Sequence, residues 1–333
     1  MRRLPPLFLR QRRGWQVTWL RDSQAFETNT IVTRDIYHNY CSGGAGQGVF
    51  AYGGRLTDKP GSAVAAVPVA YARDQVVVVW SQEARRFAFL DQVKQPSAGL
   101  PQVPQGQVND LLAVDVDNDC DLDLVVLHRN GPILWKHDGN GKFTPQTNAI
   151  QVAGDYQAAA AADLNLDGYV DLLLASPGLG AGLLLNNGQR SGTFTDASSL
   201  LPDTELGATG VAVGFLNKDG YADVVFSRGG TSALSNSVLL NQYSGGKLAF
   251  TRESSAETKQ TLSVALGDFN RDGLHDLVYG NSNEVPSLYI NESVDSKLVL
   301  KARALSTSVG TETANAILAA DLDDDCDVDL VLA

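Results

Sequence analysis

Apolar residues along this chain come in short runs, and the runs recur. "LVVL" at 124–127, "LLLA" at 172–175, "VVFS" at 224–227 and "LVYG" at 277–280 each follow an acidic loop. Next comes a second run, "PILWKHD", "GLLLNN", "SVLLNQ" or "SLYINE". A turn rich in Gly, Asn, Ser and Asp leads to a third: "GKFTPQ", "GTFTDA", "KLAFTR" or "KLVLKA". An apolar lead-in such as "LLAVD" or "SVALGD" precedes each loop. Each unit therefore predicts four short strands with hairpin turns between them. No stretch keeps apolar residues at the 3.6-residue period of a helix.

The acidic loops set the repeat length. "DVDNDCDLDLVVL" begins at Asp115, "DLNLDGYVDLLLA" at Asp163, "FLNKDGYADVVFS" at Phe215, "DFNRDGLHDLVYG" at Asp268 and "DLDDDCDVDLVLA" at Asp321, with spacings of 48, 52, 53 and 53 residues. A weaker copy at Ala66 keeps only Asp74 and lies 49 residues before Asp115. Self-similarity at this period marks a solenoid or propeller. Four antiparallel strands per unit predict an all-β fold, a β-propeller of six blades, or seven, each of four strands. A single blade is too small to bury its own faces, so blades must stack on one another.

This reading divides the chain into a basic tail, 1–13, and one propeller, 14–333. "GWQVTWLRDSQAFETNT", 14–30, reads as the third and fourth strands of a unit, and the chain stops just after a second strand. The two halves would complete one blade and close a six-bladed ring. The competing expectation is a truncated C-terminus belonging to a longer parent, since a chain seldom stops on an open strand edge. Residues 36–54 form a long loop.

Composition narrows the classes. The net charge of -12 argues against nucleic acid and anionic membranes as partners. No apolar run reaches the ~18 residues that predict a transmembrane segment. The start, "MRRLPPLFLRQRRGW", has too short an apolar piece for a secretory signal. Three cysteines, Cys41, Cys120 and Cys326, make no disulfide framework. The four histidines, His38, His128, His137 and His275, fall in no nucleophile or zinc spacing, and no catalytic residue is expected. His275, inside a loop, is expected to point to solvent. Asn291-Glu292-Ser293 matches a glycosylation sequon.

Aligned by position, the loops share D-x-[DN]-x-D-[GC]-x-x-D. Alternating aspartates occur only in the first and last copies, so an acidic strand face does not explain the pattern. Oxygens converging from a tight turn suit calcium, which takes 6–8 oxygen ligands in a tolerant cage. Positions 1, 3, 5 and 9 offer side-chain oxygens, and the carbonyl of position 7 adds one. An EF-hand would need a glutamate at position 12, where Val126, Leu174, Tyr279 and Leu332 stand.

These loops resemble the FG-GAP/VCBS-type repeats of integrin alpha-chain propellers. "DVDNDCDLDLVVL" and "DLDDDCDVDLVLA" in particular are similar to repeats of cartilage acidic protein-like and bacterial VCBS proteins. The resemblance covers about residues 66–333 and implies a calcium-bearing β-propeller, extracellular or periplasmic, working in adhesion or recognition. It implies about four structural calcium sites. The first would use Asp115, Asp117, Asp119 and Asp123 with the carbonyl of Asp121. The second would use Asp163, Asn165, Asp167 and Asp171 with Tyr169, and the third Asp268, Asn270, Asp272 and Asp276 with Leu274. The fourth would use Asp321, Asp323, Asp325 and Asp329 with Asp327. Phe215 replaces the first ligand beside Asn217, Asp219 and Asp223, so that site is expected to be weak or empty.

In such a ring the loops and the 3–4 turns share one face. The resemblance places a protein or glycan ligand on the other. There lie the turns near Ser81, Arg129, Pro177, Arg228 and Asn281, with two long connections, 36–54 and 90–107. Long loops on a rigid scaffold are the usual seat of recognition. The functional expectation is thus a non-enzymatic, calcium-stabilised adhesion or recognition module. A polysaccharide lyase-like enzyme would need a basic or His-lined patch, and none is clustered. A lectin with one sugar site per blade would need an aromatic at a repeated offset, which Trp80, Trp135 and Tyr279 do not share.

Overall fold

The computed structural model of the protein describes residues 108–332, with short breaks at 120, 139–141, 203–204, 230–232, 296, 306–313 and 321–327, and the backbone of five earlier strands. Those five are β1 (Trp19–Asp22), β2 (Phe26–Asn29), β3 (Ala63–Pro68), β4 (Gln75–Ser81) and β5 (Arg86–Phe89). β1 pairs with β2, and β3–β5 form a three-stranded sheet. The tail 1–13, the connections 36–54 and 90–107, Cys41, Cys120, Cys326, and Asp321, Asp323, Asp325 and Asp327 lie outside the described residues.

Four complete antiparallel sheets follow, each wound in chain order. Blade 1 holds β6 (Val108–Val114), β7 (Asp123–His128), β8 (Gly131–His137) and β9 (Phe143–Gln146). Blade 2 holds β10 (Ala158–Ala162), β11 (Asp171–Ser176), β12 (Gly180–Asn186) and β13 (Phe194–Asp196). Blade 3 holds β14 (Ala208–Gly214), β15 (Asp223–Arg228), β16 (Leu234–Asn241) and β17 (Phe250–Lys259). Blade 4 holds β18 (Thr261–Gly267), β19 (Asp276–Asn281), β20 (Ser287–Asn291) and β21 (Leu300–Arg303). A last pair, β22 (Ile317–Ala320) and β23 (Asp329–Leu332), forms its own sheet. Among the described residues, β1–β2 and β22–β23 are separate two-stranded sheets.

The first strands β3, β6, β10, β14, β18 and β22 pack side by side in that order. They are rich in small residues, "AAAAA" in β10 and "ATGVAVG" in β14, because strands around an axis lie close together. Gly280 shows how close blades come: a Cβ there would lie 2.6 Å from the Ala314 carbonyl oxygen, on the segment that leads into β22.

The core is divided among the interfaces between blades. Leu172 and Leu174 pack toward blade 1 with Val125, Leu127 and Leu134. Their neighbours Leu173 and Ala175 pack toward blade 3 with Val224, Phe226 and Leu239. Val225 then joins Leu277 and Tyr279 of blade 4, and Val278 joins Ile317 and Ala319 of the last pair. Side chains alternate across a strand, so a sheet covered on both faces needs an unbroken apolar run. That explains "LVVL", "LLLA" and their sisters.

Candidate functional site

The four described loops, 115–123, 163–171, 215–223 and 268–276, each join the first strand of a blade to the second. The last aspartate of each is the anchor. Asp123, Asp171, Asp223 and Asp276 are fully buried, and each begins a second strand. One carboxylate oxygen accepts the N–H of loop position 2: Val116 at 3.2 Å, Leu164 at 3.0 Å, Leu216 at 2.9 Å and Phe269 at 2.8 Å. The other accepts an N–H from the third strand: His137 at 2.8 Å, Asn186 at 2.9 Å, Asn241 at 2.8 Å and Asn291 at 2.7 Å. Position 9 thus clamps the loop to the sheet.

Earlier positions fold the turn. In the second loop Asp163 accepts the N–H groups of Asp167 and Gly168 at 3.1 and 2.9 Å, and Asn165 accepts that of Asp167 at 3.0 Å. Asp268, Asn270, Asp272 and Gly273 repeat this at 3.0, 3.0 and 2.9 Å. In all four loops position 5 accepts the N–H of position 7, from Asp119 to Asp121, Asp167 to Tyr169, Asp219 to Tyr221 and Asp272 to Leu274. Such side chain to backbone bonds are the local chemistry that Asp and Asn favour. Position 6 is left-handed in Gly168 and Gly273, with φ of 86° and 87°, where glycine carries no Cβ penalty.

Burial shapes the electrostatics. Burial pushes Asp123 up to about 8, with Asp117 and Asp119 nearby adding to the rise. Burial likewise raises Asp171 and Asp223 to about 7, and lifts Asp119, Asp163 and Asp276 above the usual carboxylate range. A cation among these oxygens would reverse the effect.

The first loop brings three predicted ligands closest. One oxygen each of Asp115, Asp117 and Asp123 lies within 4.8 Å of the other two. Asp117 Oδ1 is buried with no hydrogen-bond partner. An all-oxygen set with an unsatisfied buried oxygen fits a hard cation such as calcium. Asp119 lies in the same turn, while Asp121 contributes its N–H to Asp119. Asp329 opens β23 opposite Ala320, as position 9 does elsewhere.

The loop at Phe215 departs from its sisters. Phe215 donates its N–H to His275 Nδ1 at 3.1 Å, and its carbonyl accepts the His275 N–H at 3.0 Å. The two rings lie 6.2 Å apart. His275 therefore turns toward the neighbouring loop, not outward to solvent as its position in the sequence implied, and burial lowers its pKa. Tertiary packing between blades decided this.

Reading the sequence missed a latch. Asn186 Nδ2 donates to the Val116 carbonyl of blade 1 at 2.8 Å and to Val170 at 3.1 Å. Asn241 bridges to Leu164 of blade 2 at 2.9 Å and to Ala222 at 3.2 Å. Asn291 bridges to Leu216 of blade 3 and to His275, both at 2.9 Å. Each asparagine ties its blade to the loop of the preceding one. The signal was the Asn closing "LLLN", "VLLN" and "LYIN". In blade 1 the place belongs to His137, which stacks on Phe143 at 4.7 Å, and the preceding copy at Ala66 is the one that lost its aspartates. Because Asn291 is fully buried and its amide committed, the sequon cannot carry a glycan in the folded chain.

The loops and the 3–4 turns do share a face. Asn118 Nδ2 donates to the Gly168 carbonyl of the next loop at 2.7 Å, and Lys218 N–H to the Asp295 carbonyl of the next blade's 3–4 turn at 3.0 Å. On the other face the turns near Pro177 and Arg228 meet. Gly207 N–H reaches the Pro177 carbonyl at 3.1 Å, and Arg228 holds the Leu206 carbonyl through Nε and Nη2 at 3.0 and 2.8 Å.

Comparison with known proteins agrees with this architecture. A model of the FG-GAP-like repeat matches four overlapping stretches, residues 115–174, 163–226, 216–279 and 268–332. No curated protein matches the chain in sequence. Among solved structures, a lectin of Agrocybe aegerita, described for specific recognition of non-reducing terminal N-acetylglucosamine, superposes with a TM-score of 0.56. The two share 16% identity over 81% of this chain and 74% of the lectin. Repeats spanning 115–332, wound as stacked four-stranded blades around one axis, place the chain in the FG-GAP-like repeat family of β-propellers.

Proposed function

We propose that the chain is a calcium-stabilised recognition module, a binding protein and not an enzyme, which presents a rigid ring of blades to a glycan. The calcium part is carried by one observation: Asp115, Asp117 and Asp123 converge, and a buried oxygen of Asp117 lacks a partner. The loops at Asp163 and Asp268 offer the same positions with asparagine third. Half of the acidic residues, 19 of 38, sit in the five repeat loops, a concentration of charge that a cation would relieve. Modules of this kind bind at roughly 10⁻⁴ to 10⁻³ M, so calcium outside the cytoplasm, extracellular or periplasmic, would fill them. No helix among the described residues is long and apolar enough to cross a membrane.

The glycan reading is supported by the fold shared with a lectin, and the turns near Pro177 and Arg228 offer polar groups on the face opposite the loops. Aliphatic side chains are exposed on both faces, Leu179 and Leu206 on one and Leu166 and Val294 on the other. Exposure therefore does not choose between the faces. A protein ligand for adhesion is the second reading, favoured by the integrin-like loops. The test is a glycan array in calcium and in chelator, led by structures ending in non-reducing N-acetylglucosamine, alongside a thermal melt. Calcium-dependent glycan binding is expected. A chain that melts alike with and without chelator would overturn the calcium reading. A silent glycan array with binding to matrix proteins would replace the glycan by a protein.

A further inference from the structure

Lys136 interrupts the repeat at one place. It precedes the third-strand residue that caps position 9, and in the sister blades that place holds Leu185, Leu240 and Ile290. Here the side chain runs to the first loop and its ammonium pairs with Asp117 Oδ2. The turn of blade 2 covers the pair: a Cβ on Gly192 would lie 3.6 Å from Lys136 Cδ and 3.9 Å from the Asp117 Cβ. Asp117 is itself a departure, because position 3 is Asn165 and Asn270 in the loops at Asp163 and Asp268.

The two departures cancel. At positions 1, 3, 5 and 9 the first loop carries four carboxylates, Asp115, Asp117, Asp119 and Asp123, where the loops at Asp163 and Asp268 each carry three and an amide. One ammonium restores the sister balance. Asp117, clustered with Asp115 and Asp123, meanwhile keeps its second oxygen, Oδ1, buried and free of hydrogen bonds. An aspartate that served only as the partner of Lys136 would have no reason to keep its other oxygen buried and unpaired in a cluster with two other carboxylates, since an unpaired buried acceptor costs free energy.

We propose that Lys136 is a built-in countercharge that sets the divalent-cation affinity of the first loop, with Asp117 shared between the ammonium and the cation. This rests on the calcium reading of the loops. Cation affinity in oxygen cages follows the charge of the ligand set, so one extra or missing charge is expected to shift Kd about tenfold.

The experiment is calorimetric calcium titration of the full chain and four variants: Lys136→Leu, Lys136→Arg, Asp117→Asn and the double Asp117→Asn/Lys136→Leu. Leucine is what blade 2 carries, so the fold should accept it, and unchanged circular dichroism and a cooperative melt check this. Lys136→Leu should tighten one site about tenfold and Asp117→Asn should weaken one site about tenfold. The double variant, which copies the sister loops, should return within about threefold of the parent, and Lys136→Arg should match it. Calcium binding by the parent with every site of Lys136→Leu unchanged, or with one site lost, overturns this inference alone. Absence of calcium binding by the parent and by Lys136→Leu overturns the calcium reading with it.

Discussion

The loops at Asp163 and at Phe215 differ at one end and agree at the other. Both keep the buried anchor, Asp171 or Asp223, with the same two N–H partners and nearly the same distances. Both keep the position 5 bond to position 7. Only the Asp163 loop has a carboxylate at position 1, gathering the N–H groups of Asp167 and Gly168. It also has a left-handed residue at position 4, Leu166 at φ 55°, where Lys218 shows no positive φ. The difference separates two jobs that one motif combines. Position 9 holds the hairpin whether or not a cage exists, and position 1 shapes the part of the turn a cation would use. Where position 1 is lost, His275 of the next blade accepts the N–H of the Phe215 that stands there.

The largest effect should come from the shared end. Asp171→Ala and Asp223→Ala each strand two buried N–H groups, so each should lose about 3–5 kcal/mol in urea unfolding. A loss confined to Asp171→Ala would mean that the anchor acts through a cation after all. The second comparison is chelation. At about 1 mM calcium and Kd near 10⁻⁴ M, each filled site contributes about 1.4 kcal/mol, so removing calcium should lower Tm and cost about 4 kcal/mol from the loops at Asp115, Asp163 and Asp268 alone. Asp163→Ala should abolish about 1.4 kcal/mol of the calcium effect, while Phe215→Ala should leave it intact.

Smaller effects sharpen the same contrast. Asn241→Ala removes the bridge from blade 3 to Leu164 and should cost about 2 kcal/mol with or without calcium. In chelator, stability should rise from pH 8 to pH 5. The sign follows from Asp123 at about 8 and Asp171 and Asp223 at about 7, all above the unfolded value. The folded state then binds more protons, so the stabilisation is lost as pH rises through those values. Saturating calcium should flatten the contribution of the first two and leave that of Asp223. Last, Phe215→Asp should add one calcium site to a titration, worth about 1.4 kcal/mol at the same concentration. An unchanged stoichiometry would show that His275 blocks the place.

Much of this was legible because repeats supply their own controls. Four strands per unit followed from runs and turns, and comparison of the loops picked position 9 out of the alternating aspartates of "DVDNDCDLDLVVL". Its role as a buried clamp was not legible, since its second partner lies on a strand 14 to 18 residues away, at His137, Asn186, Asn241 or Asn291. The asparagine latch was visible as a recurring letter but not as a bond, because its acceptor belongs to the preceding blade.

By itself the sequence determined what local chemistry governs: strand and turn from the apolar period, the bend from Asp, Asn and Gly, and the acidity of the loops. It could do so because these depend on neighbours a few residues away. Only the tertiary structure decided what depends on stacking. It turned His275 toward Phe215, buried the Asn291 sequon, and laid Lys136 against Asp117 beneath the Gly192 turn. Those contacts join residues about 20 to 75 positions apart, and their partners are chosen by how one blade lies on the next.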